Sequence, residues 1–217
     1  MTFSIEEKKR MFDRRKFFVH CMAAASGVGI SPSNIASAEA ATTKWTDWRT
    51  VINGSPYVVK GVLQLPSSRI VNVTYRGSLY YASLNNEYPS WTPRSTFAGG
   101  LVGNPPNIKD MIGLTGGVGT GVSTVKFSFP LLNPVMAIWS LGSPSIPATF
   151  RFNSSLNFRI VSGGPNAEYL GQSITRRNNI VSGREGNGTI LFGGPLREIS
   201  WTCPNYEGYY GFTIGAL

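Results

Sequence analysis

Two kinds of side chain in this sequence have the types and spacing for chemistry: a few carboxylates and a larger set of flat aromatic rings. Beyond residue 40 the acidic residues are Asp47, Glu87, Asp110, Glu168, Glu185, Glu198 and Glu207. Hydrolysis of a glycosidic bond needs two carboxyl groups facing each other, about 5–5.5 Å apart for retention or about 6.5–9.5 Å for inversion. Glu185, in a glycine-flanked turn, and Glu207, among tyrosines, form the pair to test for that role. The competing reading has Glu185 ordering its own turn and Glu207 bonding neighbouring backbone.

The rings are Trp45, Trp48, Trp91, Tyr80, Tyr81, Tyr88, Tyr206, Tyr209 and Tyr210, with Trp139 and Trp201 in apolar settings that read as core. A ring on a sheet face or rim can stack on the apolar face of a sugar while its polar handle stays wet. Trp91 and Tyr88 are the favoured ligand contacts because they sit in a long loop, and Tyr209 joins them near the end of the chain. Against this, most of the rings can equally pack into or cap a core.

Several chemistries are excluded. His20 is the one histidine, and it lies in the first forty residues. The remaining chain therefore holds no Ser-His-Asp or Cys-His nucleophile and no imidazole-based zinc or copper site. Cys203 is the single cysteine beyond residue 40; with no base beside it, it reads as a packed strand-end thiol. The acids show no D-x-D-x-D spacing for calcium, and no cofactor or metal is expected. Gly116-Gly117-Val118-Gly119-Thr120-Gly121 lacks the Gly-Lys-Ser/Thr ending of a phosphate loop and reads as a flexible connection.

The elements that must position these groups are strands. Val125-Lys126-Phe127-Ser128-Phe129, Phe150-Arg151-Phe152, Leu156 to Ile160, Val71-Asn72-Val73-Thr74-Tyr75 and Tyr210-Phe212-Ile214 alternate in polarity, the mark of half-buried strands. Pro134 to Trp139 is continuously apolar and reads as a central strand covered on both faces. About ten to twelve strands are expected, near 57–65, 69–76, 78–83, 108–114, 122–129, 134–142, 147–153, 156–163, 168–175, 188–193, 196–202 and 209–215. With no helical period in any window, the fold class is all-β: a single-domain antiparallel β-sandwich, jelly-roll-like. The irregular stretch from Asn85 to Asn107 is long enough to expect a functional or mobile loop.

The first forty residues have a different character. Lys8, Lys9, Arg10, Arg14, Arg15 and Lys16 precede an apolar run from Phe17 to Ile30 and then small residues at 36–41. This is the pattern of a secretory signal peptide, with a run too short to span a bilayer. Arg14-Arg15 before Lys16-Phe17-Phe18 resembles the twin-arginine export motif, with Asp13 where Ser or Thr is usual. The expected organisation is a leader over 1–40 and a domain over 41–217, exported to the periplasm or beyond and without a transmembrane anchor. Of 20 Lys and Arg, six lie in the leader, and of 11 acidic residues, four. The domain thus keeps fourteen against seven, about +7. Nothing resembles a base-reading element, so nucleic acid is not an expected partner; anionic polysaccharide or lipid headgroups suit that charge better.

Beyond the leader the chain resembles a family of exported bacterial β-domains, many of which end in a PEP-CTERM sorting tail. The segments carrying the resemblance are Trp45-Thr46-Asp47-Trp48, Val71 to Gly77, Asp110 to Gly117, Asn133 to Gly142, Gly183 to Gly188 and Ile199 to Thr202 with Glu207 to Gly215. No Pro-Glu-Pro tail is present, so the resemblance implies release rather than anchoring; it implies fold and compartment and brings no activity with it. The expected function is a secreted, non-catalytic β-sandwich contacting extracellular or cell-surface glycan. The alternatives are a histidine-free glycan hydrolase or lyase using Glu185 and Glu207, or a structural matrix protein.

Overall fold

The structure, a computed structural model, describes residues 41–84 and 91–217. The expected leader, with Arg14 and Arg15, and Tyr88 lie outside the described residues. The strands are β1 (Lys44–Trp45), β2 (Asp47–Ile52), β3 (Tyr57–Gln64), β4 (Ile70–Gly77), β5 (Tyr81–Ser83), β6 (Met111–Gly116), β7 (Val122–Leu132) and β8 (Pro134–Leu141). They continue as β9 (Ala148–Phe152), β10 (Phe158–Gly163), β11 (Gln172–Ser173), β12 (Thr175–Arg177), β13 (Ile180–Gly183), β14 (Gly186–Phe192), β15 (Pro195–Thr202) and β16 (Glu207–Ala216), with one short helix, α1 (Arg94–Phe97), between β5 and β6.

These strands form two sheets that pack as an all-β sandwich. Sheet I runs β10-β14-β8-β16-β6-β5, with β1 added on β16 and β11 on β14. Sheet II runs β12-β13-β9-β15-β7-β4-β3-β2. The ladders are antiparallel except for the short β11–β14 pair. Period-two alternation sets the inner face of sheet II. Val59, Gly61 and Leu63 on β3, Val71, Val73 and Tyr75 on β4, and Val125 and Phe127 on β7 point inward and are buried. Between the sheets lies an aromatic core in which Trp201 meets Phe212 edge-on at 5.1 Å and lies tilted by 30° against Phe150 at 5.6 Å. Edge-to-face packing suits the ring quadrupole.

Sheet I is covered on both faces. All eight residues of β8 are buried, as the continuous apolar run predicts. The outer cover is supplied by residues 91–107 and 164–171. Trp91, Phe97 and Val102 pack over Met111, Ala137, Trp139, Val135 and Leu191. Thr189 Oγ1 donates to the Phe97 carbonyl (2.8 Å) and Thr96 Oγ1 to that of Pro165 (2.6 Å), which pins the two segments together.

Three local expectations change. Phe129 is exposed because it lies in a bulged part of β7, where the four residues between Lys126 and Leu131 stand opposite Arg197 alone, before Leu131 returns inward. Residues 168–175 do not make one strand: Asn166 Oδ1 accepts the backbone N–H of Glu168 and of Tyr169, an Asx turn that delays the strand to Gln172. Finally β1, β2 (with only Trp48 fully buried) and the four-residue β13 are strands beyond those expected.

Candidate functional site

Among the described residues, a concavity forms where the chain crosses from sheet I to sheet II. Thr46 marks the crossing, its backbone N–H and its Oγ1 both donating to the Ile214 carbonyl (2.9 and 2.8 Å). Trp48 then turns into the core, where its Nε1 donates to Thr213 Oγ1 at 3.0 Å. Alternation therefore sends Asp47 outward, where it accepts from Arg49 Nε at 2.8 Å. β2 is an edge strand, and an edge N–H needs a partner or water; that of Trp48 donates to Asp110 Oδ1 (3.0 Å). Asn104 ties the opposite wall. Its Oδ1 accepts from Thr43 N (2.8 Å), its Nδ2 donates to Thr43 O (3.1 Å), and its carbonyl accepts from Trp45 Nε1 (3.2 Å).

The result is an open cleft of about 730 Å³. Its lining includes Thr43, Trp45, Asp47 and Arg49 from the chain at β1 and β2 and Asn104, Asn107 and Asp110 from the segment before β6. Its floor is the outer end of β3 and β4, where Val62, Gln64, Ile70 and Asn72 point away from the core. Burial pushes the Asp110 carboxyl up to about 6; the Trp48 N–H opposes the shift and the nearby Asp47 charge adds to it. Amides, carboxylates and a guanidinium beside a half-buried indole provide donors and acceptors for adjacent hydroxyl groups, with one flat apolar surface.

The residues favoured from sequence are dispersed. Trp91 is 1% exposed. It meets Phe97 edge-on at 5.2 Å, and its Nε1 donates to the Asp110 carbonyl at 3.3 Å. Its loop is drawn down by the apolar outer face of sheet I, so an exposed stacking ring is replaced by a buried one. Tyr209 is half-buried and belongs to a second aromatic group. It stacks on Tyr80 (5.7 Å, 14°), lies 5.9 Å from Trp139, and its hydroxyl donates to that of Tyr169 at 2.9 Å. Tyr80, 42% exposed, is the outermost ring there. Beside this group Glu168 is lifted to about 7, chiefly by burial. The Trp139 indole N–H makes no formal hydrogen bond, yet it is near enough to favour the carboxylate and opposes the shift.

Glu185 and Glu207 are both buried. Glu185 sits at φ 50°, accepts from Ser140 Oγ, and gives its carbonyl to Asn187 Nδ2 (2.8 Å). Glycine is required nearby: at Gly171 (φ +71°) an added Cβ would run into the Glu185 backbone. Glu207 opens β16 opposite Gly116 and bears on Cys203, whose thiol burial pushes up to about 11. Glu185 precedes β14 and β8 lies between β14 and β16. The two backbones are thus about two strand spacings, roughly 10 Å, apart. Each carboxylate is committed within the fold, that of Glu185 to Ser140 and that of Glu207 against Cys203.

Asp47 and Asp110, the carboxylates that do share a cleft, were not singled out in the sequence. They are far apart in the chain, and the faint signals were an Asp between two tryptophans and an Asp directly before an apolar strand. Among the described residues, no group of three His, Cys, Asp or Glu side chains gathers as metal ligands, and no helix is long and apolar enough to cross a membrane. Comparison with protein families, with curated proteins and with solved structures finds no match to this chain.

Proposed function

We propose that the domain is an exported, non-catalytic glycan-binding β-sandwich whose ligand seat is the cleft between Trp45, Asp47, Asn72, Asn104 and Asp110. The observation that carries this reading is the make-up of the cleft: Asp110 and Asn104, held by backbone hydrogen bonds, and Asp47, held by Arg49, around an indole. Hydroxyl-rich ligands are recognised by such bidentate acceptors and donors with an apolar platform. The seat moves from the loop aromatics to the sheet edge, since Trp91 is committed to packing. The leader-like residues 1–40 support the exported part of this reading. The test is titration of the purified protein against neutral and acidic oligosaccharides, with Asn72→Ala and Gln64→Ala as exposed-residue variants that leave the core intact. Loss of binding in these variants is the expected result; unchanged affinity in both sinks the cleft as the seat.

A second reading rests on Asp110. A carboxyl half-protonated near pH 6 beside another carboxylate has the make-up of a general acid and its partner. On this reading the protein releases reducing ends from a polysaccharide, and Asp110→Asn abolishes the release. Absence of turnover across a panel of polysaccharides returns the protein to the binding class.

A further inference from the structure

The folded surface is more cationic than the composition indicates. All fourteen Lys and Arg of residues 41–217 are exposed. Of the described acidic residues, Asp110, Glu185 and Glu207 are buried and Glu168 is half-buried. Asp47 and Glu198 remain exposed, and each already faces a cation: Arg49 at 2.8 Å and Lys126 at 3.2 Å.

The cations are not scattered evenly. Sheet II has one face in the core, and its other face carries the outward residues of its strands. Register places Lys60, Thr74, Lys126 and Glu198 in one row across β3, β4, β7 and β15. The next row holds Val58, Arg76, Thr124 and Ser200. Val122, Thr202, Arg151, Ile180 and Arg177 form a third, on β7, β15, β9, β13 and β12. From Lys60 to Arg177 is six strand steps, about 29 Å at ~4.8 Å each. Hydroxyls of Thr74, Thr124, Ser200 and Thr202 fill the intervals between the cations. The cleft opens at the end of this same face, because its floor residues Val62 and Asn72 are the outward positions following Lys60 and Thr74 on β3 and β4, and Gln64 and Ile70 come next.

We infer that the outer face of sheet II is a binding track for an acidic polysaccharide, one bearing carboxylate or sulfate groups, laid across the strands and entering the cleft at its β3–β4 end. This inference rests on the glycan reading and specifies the ligand's charge and path. Charge complementarity selects a polyanion, and interleaved hydroxyls at strand spacing suit the hydroxyls of a sugar chain. A surface built for lipid instead sets Trp, Phe or Leu beside its cations. The apolar side chains in these three rows, Val58, Val122 and Ile180, are β-branched and only Val122 is exposed, and the ring of Phe129, farther along β7, lies under Arg69 at 4.1 Å.

The test uses the full protein with alginate, dextran sulfate and unsubstituted dextran as probes, and with Lys60→Gln, Arg76→Gln and Arg151→Gln combined in one variant. All three side chains are exposed, so the fold is retained, and circular dichroism checks it. The expected result is binding of both anionic polymers that weakens with salt and weakens roughly tenfold or more in the triple variant. Equal binding by wild type and triple variant overturns the track. If only the cleft variants lose binding to any of these polymers, the glycan reading stands and the track falls. If no polysaccharide binds, both fall. If phosphatidylcholine vesicles carrying phosphatidylserine bind and polysaccharides do not, the face is a membrane surface and the inference is overturned.

Discussion

Replacing Asp110 by Asn should make the protein more stable at neutral pH and leave it nearly unchanged in acid. Asp110 Oδ1 accepts the edge N–H of Trp48 at 3.0 Å, and an amide oxygen in its place preserves that bond. What changes is the ionisable proton. Burial raises the carboxyl from 3.8 to about 6, with the Asp47 charge contributing. A carboxyl whose folded value exceeds its unfolded value binds its proton more tightly when folded, so stability is greatest below about 4 and declines as pH rises towards 6. A shift of about two units converts at 1.36 kcal/mol each to nearly 3 kcal/mol. Solvent in the open cleft screens part of this, leaving about 1–2 kcal/mol. Urea denaturation at pH 4 and pH 7.5 measures it: the wild type should lose that amount relative to Asp110→Asn between the two values. Parallel pH dependence in the two proteins would refute the reasoning, because Asp110 would then be ionising as freely as in the unfolded chain.

Three further perturbations test the surrounding structure. Asn187 joins β14 to the 164–171 segment: its Oδ1 accepts from Ser140 N and Asn166 Nδ2 at 2.8 Å each, and its Nδ2 reaches the carbonyls of Gly164, Leu170 and Glu185. Asn187→Ala strands these buried groups and should cost about 2–4 kcal/mol in denaturant titration; a cost within error would mean that water replaces the amide. Trp91→Ala should cost about 3–5 kcal/mol as a core truncation, whereas a ligand-stacking ring would leave stability intact and abolish binding. Burial lifts Glu168 from 4.5 to about 7 next to Trp139, so tryptophan emission should titrate with a midpoint near neutrality and lose that transition in Glu168→Gln. In line with the raised value, the stability Glu168 contributes when protonated declines as pH rises from about 4.5 towards 7.

The sandwich was legible because its evidence is local. Alternation in Val71 to Tyr75 and Phe150 to Phe152 reports a half-buried strand without reference to anything distant. The run Pro134 to Trp139 reports burial on both faces in the same way. Where alternation fails, the cause is a specific interaction invisible in the chain: the bulge that exposes Phe129, or the Asn166 side chain that replaces strand by turn. The site was less legible for a related reason. Trp91 in a Pro- and Gly-rich loop has the sequence character of an exposed ring, but the loop's fate depends on the uncovered apolar face of sheet I, set by Met111, Ala137 and Trp139 from two other strands. Asp47 and Asp110 meet only because β2 is an edge strand whose N–H needs an acceptor.

Burial and surface charge are linked in this domain in a way that bears on its partner. Glu185 is enclosed with Ser140 and Asn187, Asp110 caps an edge, and Glu207 begins a strand beside Cys203. Each takes negative charge away from the solvent boundary, while none of the fourteen cations is buried. Random placement of the same residues would leave a milder field. Because one face of sheet I is covered by the 91–107 segment, the outer face of sheet II is the broad exposed sheet surface of the described residues on which that field can act. Net charge by itself is an argument about association and solubility. Charge in rows fixed by strand register is also an argument about shape, and the two together favour a long polyanion over a compact one.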